Sequence, residues 1–226
     1  MMSSRPFDLI LFDLDGTLVD TAPEICDAVN DTLAHYQLPA ASLEQVTRWI
    51  GHGTRELLVQ AMAAATNSTA QAVRASAHFG EVAAEFDKHY QRHCGARSQL
   101  YPHVREVLQT LRAQGVRLAV VTNKEGRYTQ TVIDAHTLGP LFHRIISGDS
   151  LPTKKPDPAG VAACLAQFGV TKERALFVGD SSIDAATARN AGLPVWLLPY
   201  GYNMGQPIAD CKPDRVIADF TALLQP

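Results

Sequence analysis

Residues 11–21 read LFDLDGTLVDT, and their interpretation governs everything else in the chain. The stretch closes the apolar run FDLILF on two aspartates one residue apart, Asp13 and Asp15, and adds a third at Asp20. A nearly continuous apolar run is the mark of a parallel strand buried on both faces, so the first two acids stand at the carboxyl end of a strand. Two carboxylates held close together push one pKa upward unless a cation or a substrate proton relieves them. The stretch therefore predicts a binding site at a strand tip.

Outward from it, four further apolar runs repeat the pattern: VRLAVVT ending at Thr122, HRIIS at Ser147, ALFV ending at Val178 and PVWLL ending at Leu198. Helical stripes separate them. Val104, Val107, Leu108 and Leu111 precede Gly115, and Val161, Cys164, Leu165 and Phe168 precede Gly169, each an i, i+3, i+4, i+7 face with a glycine stop. This alternation predicts an α/β fold with a doubly wound, Rossmann-like parallel sheet. Between Pro23 and about Cys94 no strand pattern occurs, only helical ones, such as Ile25, Ala28, Val29, Thr32, Leu33 and Tyr36 on one face. A crossover helix needs roughly a dozen residues, so the surplus predicts an inserted all-helical cap domain. The expected division is a core of residues 1–20 and 96–226 and a cap of residues 21–95, with junctions near Asp20–Thr21 and Gly95–Tyr101.

Composition narrows the partners. The chain has 226 residues, 46 % of them hydrophobic, and a formal charge of −3, which supplies no basic field for nucleic acid and no run for a membrane surface. The start MMSSRPF reads as neither signal peptide nor membrane span. Cys26, Cys94, Cys164 and Cys211 are widely spaced without a C-x-x-C pair, as suits reduced thiols in a cytoplasmic protein. Small-molecule partners are expected; oligomeric state is left open.

In an open α/β sheet, ligands bind beyond the carboxyl ends of the strands, and the polar candidates fall there: Asp13 and Asp15, Thr122 and Asn123, Lys155 in TKKPDP, and Asp180 and Asp184 in VGDSSID. Each has a plain structural reading. DLDG is not a calcium loop, since its glycine arrives two places early and follows a strand. GDSSID can cap a helix, and KKPDP can be a turn. All four together, in this order, are harder to assign to structure alone.

The set DLDGT, VVTNK, KKPDP and GDSSIDAATARNAG resembles the four ordered motifs of the haloacid dehalogenase (HAD) superfamily, and the helical insertion looks like that superfamily's first type of cap. The resemblance implies that Asp13 is a nucleophile forming an aspartyl-phosphate and Asp15 the general acid, then base. It further implies a magnesium ion held by Asp13, Asp180 and the main-chain carbonyl of Asp15, with Thr122, Asn123 and Lys155 on the phosphoryl oxygens and Asp184 supporting the metal or Lys155. An acid at position 15 has an alkoxide to protonate in phosphate esters and none in carbon–halogen cleavage. No cap signature of the sugar phosphomutases is recognised.

WIGHGTRELL (Trp49–Leu58) and PYGYNMGQPI (Pro199–Ile208) look like bacterial phosphoglycolate phosphatases, which implies a 2-phosphoglycolate substrate with His52 or Arg55 at its carboxylate. His52 departs from the usual small amide in that turn, and Glu125 stands where a proline commonly follows TNK. Phosphatases for amino-sugar phosphates, nucleotides or pyrophosphate share most of these features, and a non-catalytic phosphate sensor is the alternative from another class. A rival metal-binding pattern stands at HYQRHC, where His89 and His93 lie four apart beside Cys94. No second acid or histidine pair at ligand spacing accompanies it in sequence, so it reads as a cap-helix face.

Overall fold

All five apolar runs become strands of one sheet. The structure, a computed structural model, describes residues 6–225; most of the opening stretch read as neither leader nor span lies outside them. The strands are β1 (Leu9–Phe12), β2 (Val19–Asp20), β3 (Gln99–Leu100), β4 (Arg117–Val121), β5 (Arg144–Ile146), β6 (Ala175–Gly179), β7 (Val195–Leu197) and β8 (Arg215–Val216). Six of them form a wholly parallel sheet in the order β5-β4-β1-β6-β7-β8. The chain fills one side of β1 with β4 and β5, then crosses to the other with β6 to β8. Strand order thus reverses at β1, where such sheets open a crevice for ligands.

Side chains along the strands alternate between two cores, as a period of two requires. Ile10, Phe12, Leu118, Val120, Leu176 and Val178 join one buried cluster, and Leu9, Leu11, Ala119, Val121, Ala175 and Phe177 join the other. Helices α6 (Val104–Ala113) and α7 (Gly126–Ala135) cover the first face through Val107, Leu108, Leu111, Val132 and Ile133. Helices α8 (Ala159–Phe168) and α9 (Ser182–Ala191) cover the second through Val161, Cys164, Ala185 and Ala188. Two layers of helix explain why the runs are almost continuously apolar.

Five helices are inserted between β2 and β3: α1 (Ala22–His35), α2 (Leu43–Trp49), α3 (Thr54–Ala65), α4 (Ala70–Ala75) and α5 (Phe79–His93). Strands β2 and β3 pair antiparallel, Val19 opposite Leu100 and Asp20 opposite Gln99, and form a two-stranded ribbon at the base of the insertion. Two residues per strand are too few for any periodicity to announce, which hides this ribbon, and β8 at the sheet edge, from a reading of sequence. No helix among the described residues is long and apolar enough to cross a membrane, and all four cysteines are free and buried.

Candidate active site

Register brings the acids together. Phe12 lies opposite Val120 of β4 and Val178 of β6, so Asp13 follows Phe12 while Thr122 and Asp180 lie two residues past its partners. The chain leaves β1 through a tight turn in which Leu18 N and Val19 N donate to Leu14 O at 3.0 and 3.1 Å. Gly16 takes φ +82° there, and a Cβ on it would stand 2.3 Å from Asp180 Oδ2. Only glycine allows both the turn and that approach.

Asp13, 9 % exposed, accepts from Leu14 N at 2.7 Å, and its Oδ1 lies 2.8 Å from Lys155 Nζ. Lys155, 4 % exposed, lies a further 2.7 Å from Asp184 Oδ1. Asp184 works with both oxygens. Its Oδ2 accepts from Asp180 N and Ser181 N at 3.1 Å and from Ser181 Oγ at 2.7 Å, while Ser181 caps α9 in return. The capping reading and the site reading of GDSSID are thus both realised: one carboxylate starts the helix and aims Lys155 at Asp13. Asp180 receives Thr17 Oγ1 at 2.6 Å and Tyr202 N at 2.5 Å.

Burial pushes the Asp13 carboxyl up to about 6; Lys155 pulls it down, while Asp184 and Asp15 add to the rise. Burial, then Asp184 and Asp13, raise Asp180 well above the usual carboxylate range. Burial opposes the Lys155 charge, yet Asp13 and Asp184 hold its ammonium above its ordinary value. Asp13, Asp180 and Asp184 each offer an oxygen within 4.8 Å of the others, one set of donors that fits an oxygen-loving cation.

Asp15 stands outside that trio. Thr21 Oγ1 donates to its Oδ1 at 2.7 Å, and Lys124 Nζ reaches its two oxygens at 3.0 and 3.1 Å and Tyr90 OH of α5 at 2.5 Å. Lys124 belongs to the TNK stretch yet has no role in the sequence-based expectations; its signal is a lysine just past a strand tip, next to paired acids. Asp20, the third acid of the opening stretch, meets a different need. It accepts from Tyr202 OH, which in turn accepts from Thr21 N and Ala22 N at 3.0 Å and so fixes the entry to α1.

A cavity of about 30 Å³ lies over the acids. Asp13, Asp15, Thr122 and Asp180 form its floor, and Ile50, Gly51, Gly53, Thr54 and Leu57 of the inserted helices form its roof. Three bonds seat that roof. Asn123 Nδ2 donates to Gly51 O at 3.0 Å, Thr54 Oγ1 to Glu125 Oε1 at 2.6 Å, and Lys154 Nζ to His52 O at 2.6 Å. Asn123 Nδ2 also holds Lys155 O at 3.0 Å, so its side-chain donor serves the backbone. The His52 and Arg55 side chains are exposed and do not line the cavity; the Arg55 guanidinium packs over the Phe79 ring, 4.8 Å from its centroid. Cys94 turns to Tyr128 O at 3.6 Å, away from His89 and His93 in any shared role.

The haloacid dehalogenase-like hydrolase model matches residues 10–198. The chain is 41 % identical over 219 residues to a phosphoglycolate phosphatase of Mannheimia succiniciproducens, covering 97 % of each chain. It is 42 % identical over 218 residues to the enzyme of the same name from Haemophilus influenzae, covering 96 % of this chain and 97 % of that one. The crystal structure of a predicted phosphoglycolate phosphatase from Haemophilus somnus superposes with a TM-score of 0.92 at 39 % identity over 99 % of both chains. With its strand-tip acids, its inserted helices and a match across most of its length, the chain belongs to the haloacid dehalogenase-like hydrolase family.

Proposed function

We propose that the chain is a magnesium-dependent phosphomonoester hydrolase that converts 2-phosphoglycolate to glycolate and phosphate. The carrying observation is the Asp13–Lys155–Asp184 array at the strand-order reversal, in a chain about 40 % identical to full-length phosphoglycolate phosphatases. Asp13 and Asp184 share one buried ammonium while Asp180 stands beside them without one, and the upward pressure on Asp13 and Asp180 is the strain that a divalent cation relieves. Asp13 and Asp180, with the Asp15 carbonyl that the resemblance implies, would hold the ion, which would neutralise phosphate charge; Asp184 stays with Lys155.

The Leu14 amide and Lys155 fix Asp13 Oδ1 and with it the carboxylate's orientation. Asp13 attacks phosphorus as the ester P–O bond breaks, and Asp15 protonates the departing alkoxide. Asp15 then takes a proton from the water that attacks the aspartyl-phosphate, which frees Asp13 and releases phosphate. Thr122 and Lys155 stabilise charge on the transferring phosphoryl group; Asn123 holds the Lys155 loop and the roof. Residues 21–95 act as a cap domain on a core of residues 1–20 and 96–226. Residues of the insertion roof the acids, so the cap lifts to admit substrate and closes to exclude water. Four free, buried cysteines suit a cytoplasmic setting.

The test is magnesium-dependent phosphate release from phosphoglycolate, sugar phosphates, amino-sugar phosphates, nucleotides and pyrophosphate, compared by kcat/KM. Phosphoglycolate is expected to lead. Another leading ester overturns the substrate, and no turnover of any ester overturns the hydrolase.

A further inference from the structure

The histidine pair at HYQRHC is not alone in space. Helix α5 carries Glu85, His89 and His93 at i, i+4 and i+8, one face of the helix. Helix α1 lies against it and brings Asp31 and His35, 58 and 54 positions before His89, a separation that no spacing rule could bridge. His93 Nε2 lies 2.7 Å and His89 Nδ1 3.6 Å from Asp31 Oδ2. On its other side, His89 Nε2 lies 3.2 Å from Glu85 Oε1, which His35 Nδ1 approaches to 3.6 Å.

Both ring nitrogens of His89 are buried and make no hydrogen bond. Leaving a buried polar atom unpaired is costly. Glu85 Oε1 is too poorly aligned with Nε2 to bond, and Asp31 Oδ2, 3.6 Å from Nδ1, is too far to bond yet near the roughly 3.3 Å that separates two donors around a tetrahedral ion with 2.0–2.1 Å bonds. We propose that this α1–α5 seam holds a second metal site, for a divalent transition ion that favours imidazole, such as zinc, with Asp31, His89 and His93 as ligands.

Glu85 is shared with Lys88, whose Nζ lies 2.7 Å from Oε2, so Asp31 is the better acid ligand and Glu85 orients His89. Only the strand-tip acids place three donors within 4.8 Å of one another among the described residues. Binding at the seam therefore turns one imidazole toward the other, and His93, whose side chain is 29 % exposed, has the room. The ion takes the place of the proton shared by His93 and Asp31. The two sites sort ions by chemistry: oxygen ligands alone suit magnesium, whereas two imidazoles and a carboxylate suit zinc. The seam site also reaches both junctions of the insertion, because α1 and α5 run into them and Glu24 of α1 already accepts from Gly95 N at 2.9 Å and Ser98 N at 3.0 Å. Zinc bound only to the folded chain raises its Tm.

The experiment titrates the full chain with zinc by calorimetry, excess magnesium occupying the strand-tip acids. One zinc per chain is expected, with His89→Gln, His93→Gln and Asp31→Asn each weakening it by at least about tenfold and Asp180→Asn leaving it unchanged. Cobalt in place of zinc is expected to give a four-coordinate visible band in the parent chain and none in His93→Gln, a substitution at a partly exposed position that keeps the fold within reach. Zinc binding that survives both histidine variants, binding abolished in Asp180→Asn, or no binding at all overturns the site.

Discussion

The floor and the roof of the cavity are held on opposite terms. On the floor, Asp184 alone accepts three hydrogen bonds and an ion pair, and Asp13, Asp180 and Lys155 are almost wholly buried. The roof turn, residues 51–54, meets the core through three single hydrogen bonds from Asn123, Thr54 and Lys154. A rigid floor keeps charged groups aligned at the moment of reaction; a lightly held roof can lift within a few kcal/mol. The difference separates proposed chemistry from proposed selectivity, and substitutions on the two sides are expected to fail differently.

The largest effect belongs to the floor. Asp13→Asn removes the nucleophile at nearly constant shape, and turnover is expected to fall by about 10⁴-fold or more with an unchanged circular dichroism spectrum. Residual phosphate release at a tenth of the parent rate would remove Asp13 from the mechanism. Lys155→Met comes next. It leaves Asp13 and Asp184 buried without their cation, so stability is expected to drop by about 3–5 kcal/mol in urea unfolding and kcat by about 10²–10³. If only kcat moved, the buried pair would contribute little to folding.

Third is pH. The Asp13 carboxyl rises from 3.8 to about 6 on folding without a bound cation, so the native state binds the proton more tightly than the unfolded state. Stability from this group is therefore undiminished below pH 4 and declines as pH rises toward 6, by about 3 kcal/mol at most. Metal-free protein is expected to lose Tm across that window, Asp13→Asn to lose less, and magnesium to restore the loss above it. Identical slopes in parent and variant would break the assignment to Asp13.

What the sequence makes legible follows the same division. Asp13, Thr122, Lys155 and Asp180 are readable because each closes a run or loop whose local pattern announces it; parallel register then gathers Asp13, Thr122 and Asp180, and Asp184 and Asn123 bring Lys155 to them. Tyr202 and Glu24 are not. Tyr202 fixes Asp20 and the start of α1 across 182 positions, and Glu24 binds the far junction across 71. Their partners exist only after two separately encoded surfaces dock. The ribbon β2–β3 escapes because it is too short to show a period, and Asp31 escapes the histidine pair because it lies on another helix.

The roof gives the smaller predictions. Thr54→Val removes the hydroxyl that donates to Glu125, whose other oxygen is already buried without a partner. A loss of about 1–2 kcal/mol in the closed state is expected to lower kcat/KM for phosphoglycolate by roughly 5- to 30-fold and to speed amide exchange around Gly53. An unchanged kcat/KM would mean that the roof is seated without that bond.

Smallest is Arg55→Ala, the substitution that separates the resemblance from the geometry. The resemblance makes Arg55 or His52 a partner for the substrate carboxylate; in the structure the Arg55 guanidinium lies over Phe79, and the cavity face of the turn is formed by Gly51, Gly53 and Thr54. Gly53 has φ +90°, and a Cβ there would stand 3.1 Å from Asn123 O, so the turn has little freedom to rotate its neighbours inward. Removing an exposed cation–π interaction costs about 0.5–1 kcal/mol of stability, and KM for phosphoglycolate is expected to change less than about twofold. A tenfold rise in KM with kcat preserved would be the signature of an interaction that had stabilised ground and transition states equally. It would show that Arg55 leaves Phe79 when substrate arrives, and would move part of the selectivity from the roof turn to the first turn of α3.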